Sequence, residues 1–268
     1  MNNKKTVSVL TLGCRVNQYE SDYIVQTLTE RGYEQAPFGT VADVTVVNTC
    51  TVTAESDRKS RQMIRRASSA NPDGYVLVMG CFSQIKAQEV AKIPGVDYVC
   101  GNRNKLSVSE FAAKLVRNGK KERNAPCRIL DVETAALEHM TVNKAYRDRC
   151  YIKVEDGCDN HCTYCIIKKA RGNVVSRLPE DVLSEVAAIA KDGCQEVVLT
   201  GIEAASYGRD LGGEQQSEYS EARTARVCKL HVKDGIITAE RYADLIDIHI
   251  RTAVADGTQH TAPVGIGT

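Results

Sequence analysis

Short β-branched runs alternate with helical patterns through the first hundred residues, and a parallel sheet covered by helices is the fold that such alternation specifies. The strand-like runs span 7–12, 44–47, 75–79 and 96–99. Helical patterns over about 18–30, 54–69, 83–93 and 102–117 follow them in turn. Gly32 suits a helix stop, and Asn71-Pro72-Asp73-Gly74 a turn. Residues 1–117 therefore read as an α/β domain.

Cysteines punctuate this pattern. Cys14, Cys50 and Cys81 each fall just behind the end of a strand. In open α/β sheets the carboxyl ends of parallel strands form the edge where ligands bind, so three thiols distant in sequence are expected to converge there. Cys100 also ends a strand but lacks neighbouring turn residues that admit a cofactor, and reads as a core thiol or an outer neighbour of the ligands. Cys127, Cys150, Cys194 and Cys228 are isolated in the sequence and read as structural thiols.

Periodicity fades and charge rises over 118–149, which reads as an interdomain linker. A second domain opens with a strand at 151–155, followed by Cys158-Asp159-Asn160-His161-Cys162-Thr163-Tyr164-Cys165. Three thiolates at C-x3-C-x2-C spacing can wrap one side of an iron-sulfur cubane and leave one iron open to another ligand. Zinc is the weaker reading, because the paired C-x2-C spacings of structural zinc sites are missing. A helix at 180–191, begun by Pro179, and a strand at 195–200 ending at Gly201 continue the β-α pattern of a β/α barrel, whose active site lies at the strand carboxyl ends. Residues 150–213 supply only the first part of such a barrel. The polar stretch 214–226, a hairpin from 227 to 237 and a helix over about 239–250 make an atypical tail, 214–268, and the barrel is expected to be truncated.

Eleven cysteines in a chain of 268 residues, odd in number and without an export signal behind Met1-Asn2-Asn3-Lys4-Lys5, point to metal or catalytic thiols in the cytoplasm rather than to disulfides. No apolar run approaches the ~20 residues of a membrane span, so no membrane partner is expected. A net charge of +1 excludes a uniformly basic nucleic-acid binder and leaves only local patches for RNA contact. Arg58, Lys59, Arg61, Arg65 and Arg66 cluster on one helical pattern, with Arg58, Arg61 and Arg65 on one face, and are candidates for phosphate contact.

The loop Gly157 to Cys165 resembles the signature of the radical S-adenosylmethionine (SAM) superfamily, with Tyr164 where that superfamily keeps an aromatic beside the adenine of SAM. Ile166-Ile167, Arg171-Gly172 and Ser176-Arg177 resemble its methylthiotransferase branch. So do Thr11-Leu12-Gly13-Cys14-Arg15-Val16-Asn17-Gln18-Tyr19-Glu20, Asn48-Thr49-Cys50-Thr51-Val52-Thr53, Ser56 to Arg61, and Gly80-Cys81, which look like the tRNA threonylcarbamoyladenosine methylthiotransferases. The likeness covers about 6–211 and stops there; within it, His161 stands where the family usually has an aromatic and Lys168 where it has a proline.

The resemblance implies two 4Fe-4S clusters, one held by Cys158, Cys162 and Cys165 with SAM on its open iron, the other by Cys14, Cys50 and Cys81. Tyr164 and Gly201 are the expected SAM-lining residues. Beyond the cluster ligands no catalytic residue is assigned. The implied activity is addition of a methylthio group to the threonylcarbamoyl-modified adenosine next to the tRNA anticodon, with the anticodon stem-loop and an electron donor as partners. Isopentenyladenosine in tRNA or a ribosomal protein is the alternative substrate. A non-catalytic iron-sulfur fragment is the alternative of a different class.

Overall fold

The computed structural model describes residues 4–115 and 126–211, together with the backbone of 228–233 and 236–241. The described residues fall into two compact units. The first comprises those up to Met140 with Asp159–Asn173; the second comprises Thr141–Cys158 and those from Val174 onward.

The first unit is a single sheet of β1 (Thr6–Thr11), β2 (Glu34–Gln35), β3 (Val44–Thr49), β4 (Tyr75–Gly80), β5 (Tyr98–Cys100) and β6 (Cys127–Arg128) in the order β2-β1-β3-β4-β5-β6. Every pairing is parallel. Helices α1 (Arg15–Glu30), α2 (Ala54–Ala70), α3 (Cys81–Ala91) and α4 (Leu106–Lys114) connect and cover it. All six residues of β3 are buried, as expected of a central strand with helices on both faces. Side chains alternate between two cores: Val44, Val46, Leu77 and Met79 pack with Ile24, Leu28 and Val108, whereas Val47, Val76 and Val78 pack with Ile64, Phe82 and Val90. At α2 the Thr53 side chain accepts the Ser56 N–H, and Glu55 and Asp57 occupy the first turn, where the helix dipole favours negative charge.

The chain runs from β1 outward to β2 and then returns to β3 on the other side of β1. The strand order thus reverses between β1 and β3, and the carboxyl ends of these strands flank the crevice where doubly wound sheets bind ligands.

The four expected strands and their helices are present, with shifted ends. Helices α1 and α3 begin at Arg15 and Cys81, directly on the cysteine-bearing turns. Helix α4 starts only at Leu106, because Asn102 and Asn104 are bonded elsewhere and Glu138 receives the Lys105 and Leu106 N–H groups. The helix expected to reach 117 ends at Lys114, and 116–117 lie outside the described residues. The two-residue strands β2 and β6 carry no sequence pattern of their own. Of the stretch read as linker, 118–125 lie outside the described residues. Residues 126–140 belong to the first unit: β6 extends its sheet, Val132 and Met140 are buried, and Tyr19 Oη donates to the Met140 carbonyl at 2.6 Å.

In the second unit β7 (Arg149–Lys153) pairs in parallel with β10 (Glu196–Thr200), and β11 (Cys228–Lys233) and β12 (Ile236–Arg241) extend the sheet antiparallel, in the order β12-β11-β10-β7. Strands β8 (Glu155–Asp156) and β9 (Val175–Ser176) form a separate two-stranded antiparallel sheet. Helix α5 (Ile167–Arg171) is part of the first unit, and α6 (Pro179–Lys191) lies between β9 and β10 in the chain. Helix α6 starts on Pro179 as expected and buries Val182, Val186 and Ile189. The hairpin of the tail is present as β11 and β12. The helix expected over 239–250 is not there at its start: Ala239, Glu240 and Arg241 pair with Leu230, Lys229 and Cys228, and 242–250 lie outside the described residues. No described helix is long and apolar enough to cross a membrane.

Candidate functional site

Cys14, Cys50 and Cys81 stand behind β1, β3 and β4, three consecutive strands of the first sheet. Neighbouring strands lie about 4.8 Å apart, so topology alone brings these positions to one short edge. Cys14 caps α1 with extended backbone and is exposed, whereas Cys50 and Cys81 are buried. Gly13 has φ +98°, and a Cβ built there would lie 2.8 Å from Cys50 Cβ and 2.9 Å from its Sγ. The turn carrying Cys14 therefore rests directly on the Cys50 side chain, and only glycine permits that.

The polar residues around these turns act as clamps. Asn17 Nδ2 donates to the Leu12 carbonyl at 2.7 Å and the Thr49 carbonyl at 3.0 Å, joining the ends of β1 and β3. Thr49 Oγ1 donates to the Met79 carbonyl at 2.7 Å, joining β3 to β4. Ser60 Oγ accepts the Cys50 N–H and donates to the Cys50 carbonyl. Cys81 Sγ receives the Arg171 Nε–H at 3.3 Å and the Asn102 Nδ2–H at 3.5 Å. Among the described residues no three Cys, His, Asp or Glu side chains are gathered as a metal-holding group. The edge nevertheless fits an iron-sulfur group in chemistry: three thiols at adjacent strand ends, and N–H donors aimed at one sulfur, which is the arrangement that supports a thiolate ligand.

Cys162 and Cys165 lie in the first unit, both exposed, in a turn closed by the Cys165 N–H donating to the Cys162 carbonyl at 3.1 Å. Cys158 lies in the second unit and is half-buried. Tyr164, at the corner of the turn, is 90% exposed, an open aromatic face of the kind that stacks on a planar ligand. His161 Nε2 and Lys168 Nζ, the two departures from the family pattern, are 3.1 Å apart. They touch each other on the surface.

In the second unit Gly201 follows β10, and a Cβ there would lie 2.1 Å from Glu155 Oε2. The same carboxylate oxygen accepts the Glu203 N–H at 3.1 Å. Arg177, buried, donates to the Lys153 carbonyl and to Glu185 at 2.6 Å, tying α6 to β7.

The basic face of α2 is largely engaged within the protein. Arg58 forms a double contact with Glu55, Arg61 bonds Glu89 and lies over Phe82, and Arg66 lies over Phe38. Arg58 and Arg61 nevertheless stay 64% and 32% open to solvent. Cys100 is the core thiol expected, with burial pushing it up to about 12. Cys150 and Cys194 are not isolated: a hydrogen bond between their thiols pushes Cys150 up and Cys194 down. Cys127 is partly buried in β6 with its Sγ 3.8 Å from the Ala87 carbonyl, and the Cys228 side chain lies outside the described residues.

Asn102, which donates to Cys81 Sγ, and Glu20 and Lys105, which pair with each other beside Arg171, received no role from the sequence. The signal was a polar run, Asn102-Arg103-Asn104-Lys105, standing where an amphipathic helix was expected. These four side chains are buried.

If Cys14, Cys50 and Cys81 hold iron, Gly13→Ala is expected to lower its retention to the level of Cys14→Ala, since the methyl group meets Cys50 and the backbone strain adds about 1–2 kcal/mol. Iron per chain after anaerobic reconstitution measures the loss, and full iron in Gly13→Ala would contradict the close packing of the two turns.

A family model described as Uncharacterized protein family UPF0004 matches residues 6–101, and the Radical SAM superfamily model matches residues 152–254. The chain is 41% identical over 208 residues to a threonylcarbamoyladenosine tRNA methylthiotransferase of Bacillus subtilis (strain 168), covering 77% of this chain and 45% of that protein. It is 35% identical over 234 residues to the enzyme of the same name from Aquifex aeolicus (strain VF5), covering 85% and 57%. A ribosomal protein uS12 methylthiotransferase of Carboxydothermus hydrogenoformans is 34% identical over 208 residues, covering 77% and 46%. The chain spans about half the length of these curated relatives.

Proposed function

The chain belongs to the radical SAM methylthiotransferase family, and from that premise we propose that it takes part in adding a methylthio group to the threonylcarbamoyl-modified adenosine beside the tRNA anticodon. The observation that carries this reading is the presence in one chain of two cysteine sets: the C-x3-C-x2-C loop, and the three cysteines behind neighbouring parallel strands at the point where strand order reverses. The threonylcarbamoyladenosine substrate rests on the names of the relatives cited first.

In this reading Cys158, Cys162 and Cys165 hold one 4Fe-4S cluster that binds SAM, and Cys14, Cys50 and Cys81 hold a second. What these groups supply when bound is one-electron cleavage of a carbon-sulfur bond of SAM and delivery of sulfur to carbon, with a separate electron donor. The protein supplies placement. The turn from Cys162 to Cys165 fixes two thiols on the surface, and Tyr164 offers the adenine of SAM a stacking face. Glu155, held against Gly201 and the Glu203 N–H, keeps a carboxylate at the carboxyl end of β10. The target base must leave its stack to be reached, which an anticodon loop permits at modest cost.

In a strain lacking this chain, tRNA digested to nucleosides is expected to accumulate threonylcarbamoyladenosine without its methylthio group, read by mass spectrometry. Loss of methylthiolated isopentenyladenosine instead, or of a modified ribosomal peptide, would replace the substrate named here. An unchanged nucleoside and peptide profile, with no deoxyadenosine formed by the reconstituted chain, would leave a non-catalytic iron-sulfur protein.

A further inference from the structure

Helix α5 begins two residues after Cys165 and is docked into the first unit. Asn102 Nδ2 donates to the Ala170 carbonyl at 2.6 Å, and Arg103 Nη2 to the Arg171 carbonyl at 2.8 Å. From this backbone the Arg171 side chain runs inward and is completely buried. Its Nη1 donates to Glu20 Oε1 at 2.9 Å, its Nη2 to Asn17 Oδ1 at 2.5 Å and Glu20 Oε2 at 3.3 Å, and its Nε to Cys81 Sγ at 3.3 Å. Glu20 is itself fully buried and also ion-paired with Lys105.

A guanidinium is rigid and planar, so two anchors on one edge fix where the remaining N–H points. Glu20 and Asn17 provide those anchors on Nη1 and Nη2, and the Nε–H points at Cys81 Sγ. The charge matters as well. An arginine without a partner of opposite charge is costly to bury, and Glu20 supplies that partner here. Asn17 also holds the Leu12 and Thr49 carbonyls, so the same network reaches the turns that carry Cys14 and Cys50.

We propose that Arg171 is a positioning residue for the strand-edge cluster: its buried Nε–H aims at Cys81 Sγ, orients that ligand and raises the reduction potential of the group it binds. The inference rests on the reading of Cys14, Cys50 and Cys81 as cluster ligands. Donors to a ligand sulfur, and a fixed cation beside it, stabilise the more negative reduced state, and removal of such an outer partner typically weakens metal retention about 10- to 100-fold. Because α5 follows the C-x3-C-x2-C loop by two residues, Arg171 also links that loop to a ligand of the other centre.

The test uses the full chain with Cys158, Cys162 and Cys165 changed to alanine, so that only the strand-edge cluster remains. After anaerobic reconstitution, its midpoint potential is followed by electron paramagnetic resonance and its iron loss by chelator challenge. In this background Arg171→Lys and Arg171→Gln, both of which leave the Glu20–Lys105 pair in place, are expected to move the potential to more negative values and to speed iron loss roughly 10- to 100-fold. Far-ultraviolet circular dichroism checks that they fold. A second measurement needs no substitution at Arg171: with ¹⁵N-arginine in the background chain, the pulsed spectrum of the reduced cluster should show a weak ¹⁵N coupling. A background chain that binds no iron would overturn the ligand reading and the inference with it. A bound cluster with no ¹⁵N coupling, or with potential and iron retention unchanged in the folded variants, overturns the inference alone.

Discussion

Cys162→Ala and Cys165→Ala are each expected to reduce deoxyadenosine formation from SAM to background and to remove roughly half of the reconstituted iron, because a cubane held by three thiolates does not persist on two. Both residues are exposed on a surface turn, where losing a side chain costs about 0.5 kcal/mol or less. Loss of the protein's fold would therefore not account for the result. Cys50→Ala should do the converse, removing the other half of the iron while deoxyadenosine is still produced. Iron assay and chromatography of deoxyadenosine under a strong reductant read both. If Cys162→Ala keeps its iron, the loop is not a cluster site. If Cys50→Ala also ends SAM cleavage, the two sets do not act as separate centres.

The second large effect falls on stability. Glu20→Ala takes one carboxylate from a network in which Glu20, Lys105 and Arg171 are all fully buried. Breaking a buried ion pair by removing one partner costs about 3–5 kcal/mol, against a total stability of about 5–15 kcal/mol for a typical protein. For a chain of this size a shift of about 10 °C in melting temperature is expected. The comparison that gives the number meaning is Glu55→Ala, which removes an exposed partner of Arg58 and should leave stability essentially unchanged, because solvent screens that pair. Urea unfolding of the metal-free chain measures both. A loss of less than about 1 kcal/mol in Glu20→Ala would mean that water or a neighbouring side chain replaces the carboxylate, and that the network does not hold the strand edge.

The strands and helices of the first unit were legible because a parallel sheet with helices on both faces writes its period into nearly every residue. Val44, Val46, Leu77 and Met79 on one face, and Val47, Val76 and Val78 on the other, are the alternation itself. The placement of Cys14, Cys50 and Cys81 followed from counting to the ends of those strands. The contacts that give the edge its chemistry left no such trace. Arg171 meets Glu20 across 151 positions of sequence, and no local pattern reports a partner that far away. Residues 126–140 looked like a linker because they lack periodicity, yet Glu138, Met140 and Val132 dock through single side chains and carbonyls rather than through a repeating face. The spacing of the α2 arginines likewise carries no mark of the contacts that Arg58, Arg61 and Arg66 make with Glu55, Glu89, Phe82 and Phe38, which lie on other turns or other elements.

The return of Asp159–Asn173 to the first unit bears on how such proteins can be taken apart and recombined. A gene cut at 140 yields an amino-terminal piece that has all three strand-edge cysteines but lacks Arg171, and a carboxyl-terminal piece that carries an arginine whose Glu20, Asn17 and Cys81 partners were left behind. Neither piece is a self-sufficient cassette. Exchange of the carboxyl-terminal module between relatives is expected to succeed only when residues 159–173 are chosen to match the recipient's amino-terminal sheet, so these fifteen positions should vary together with that sheet rather than with the module they are read within.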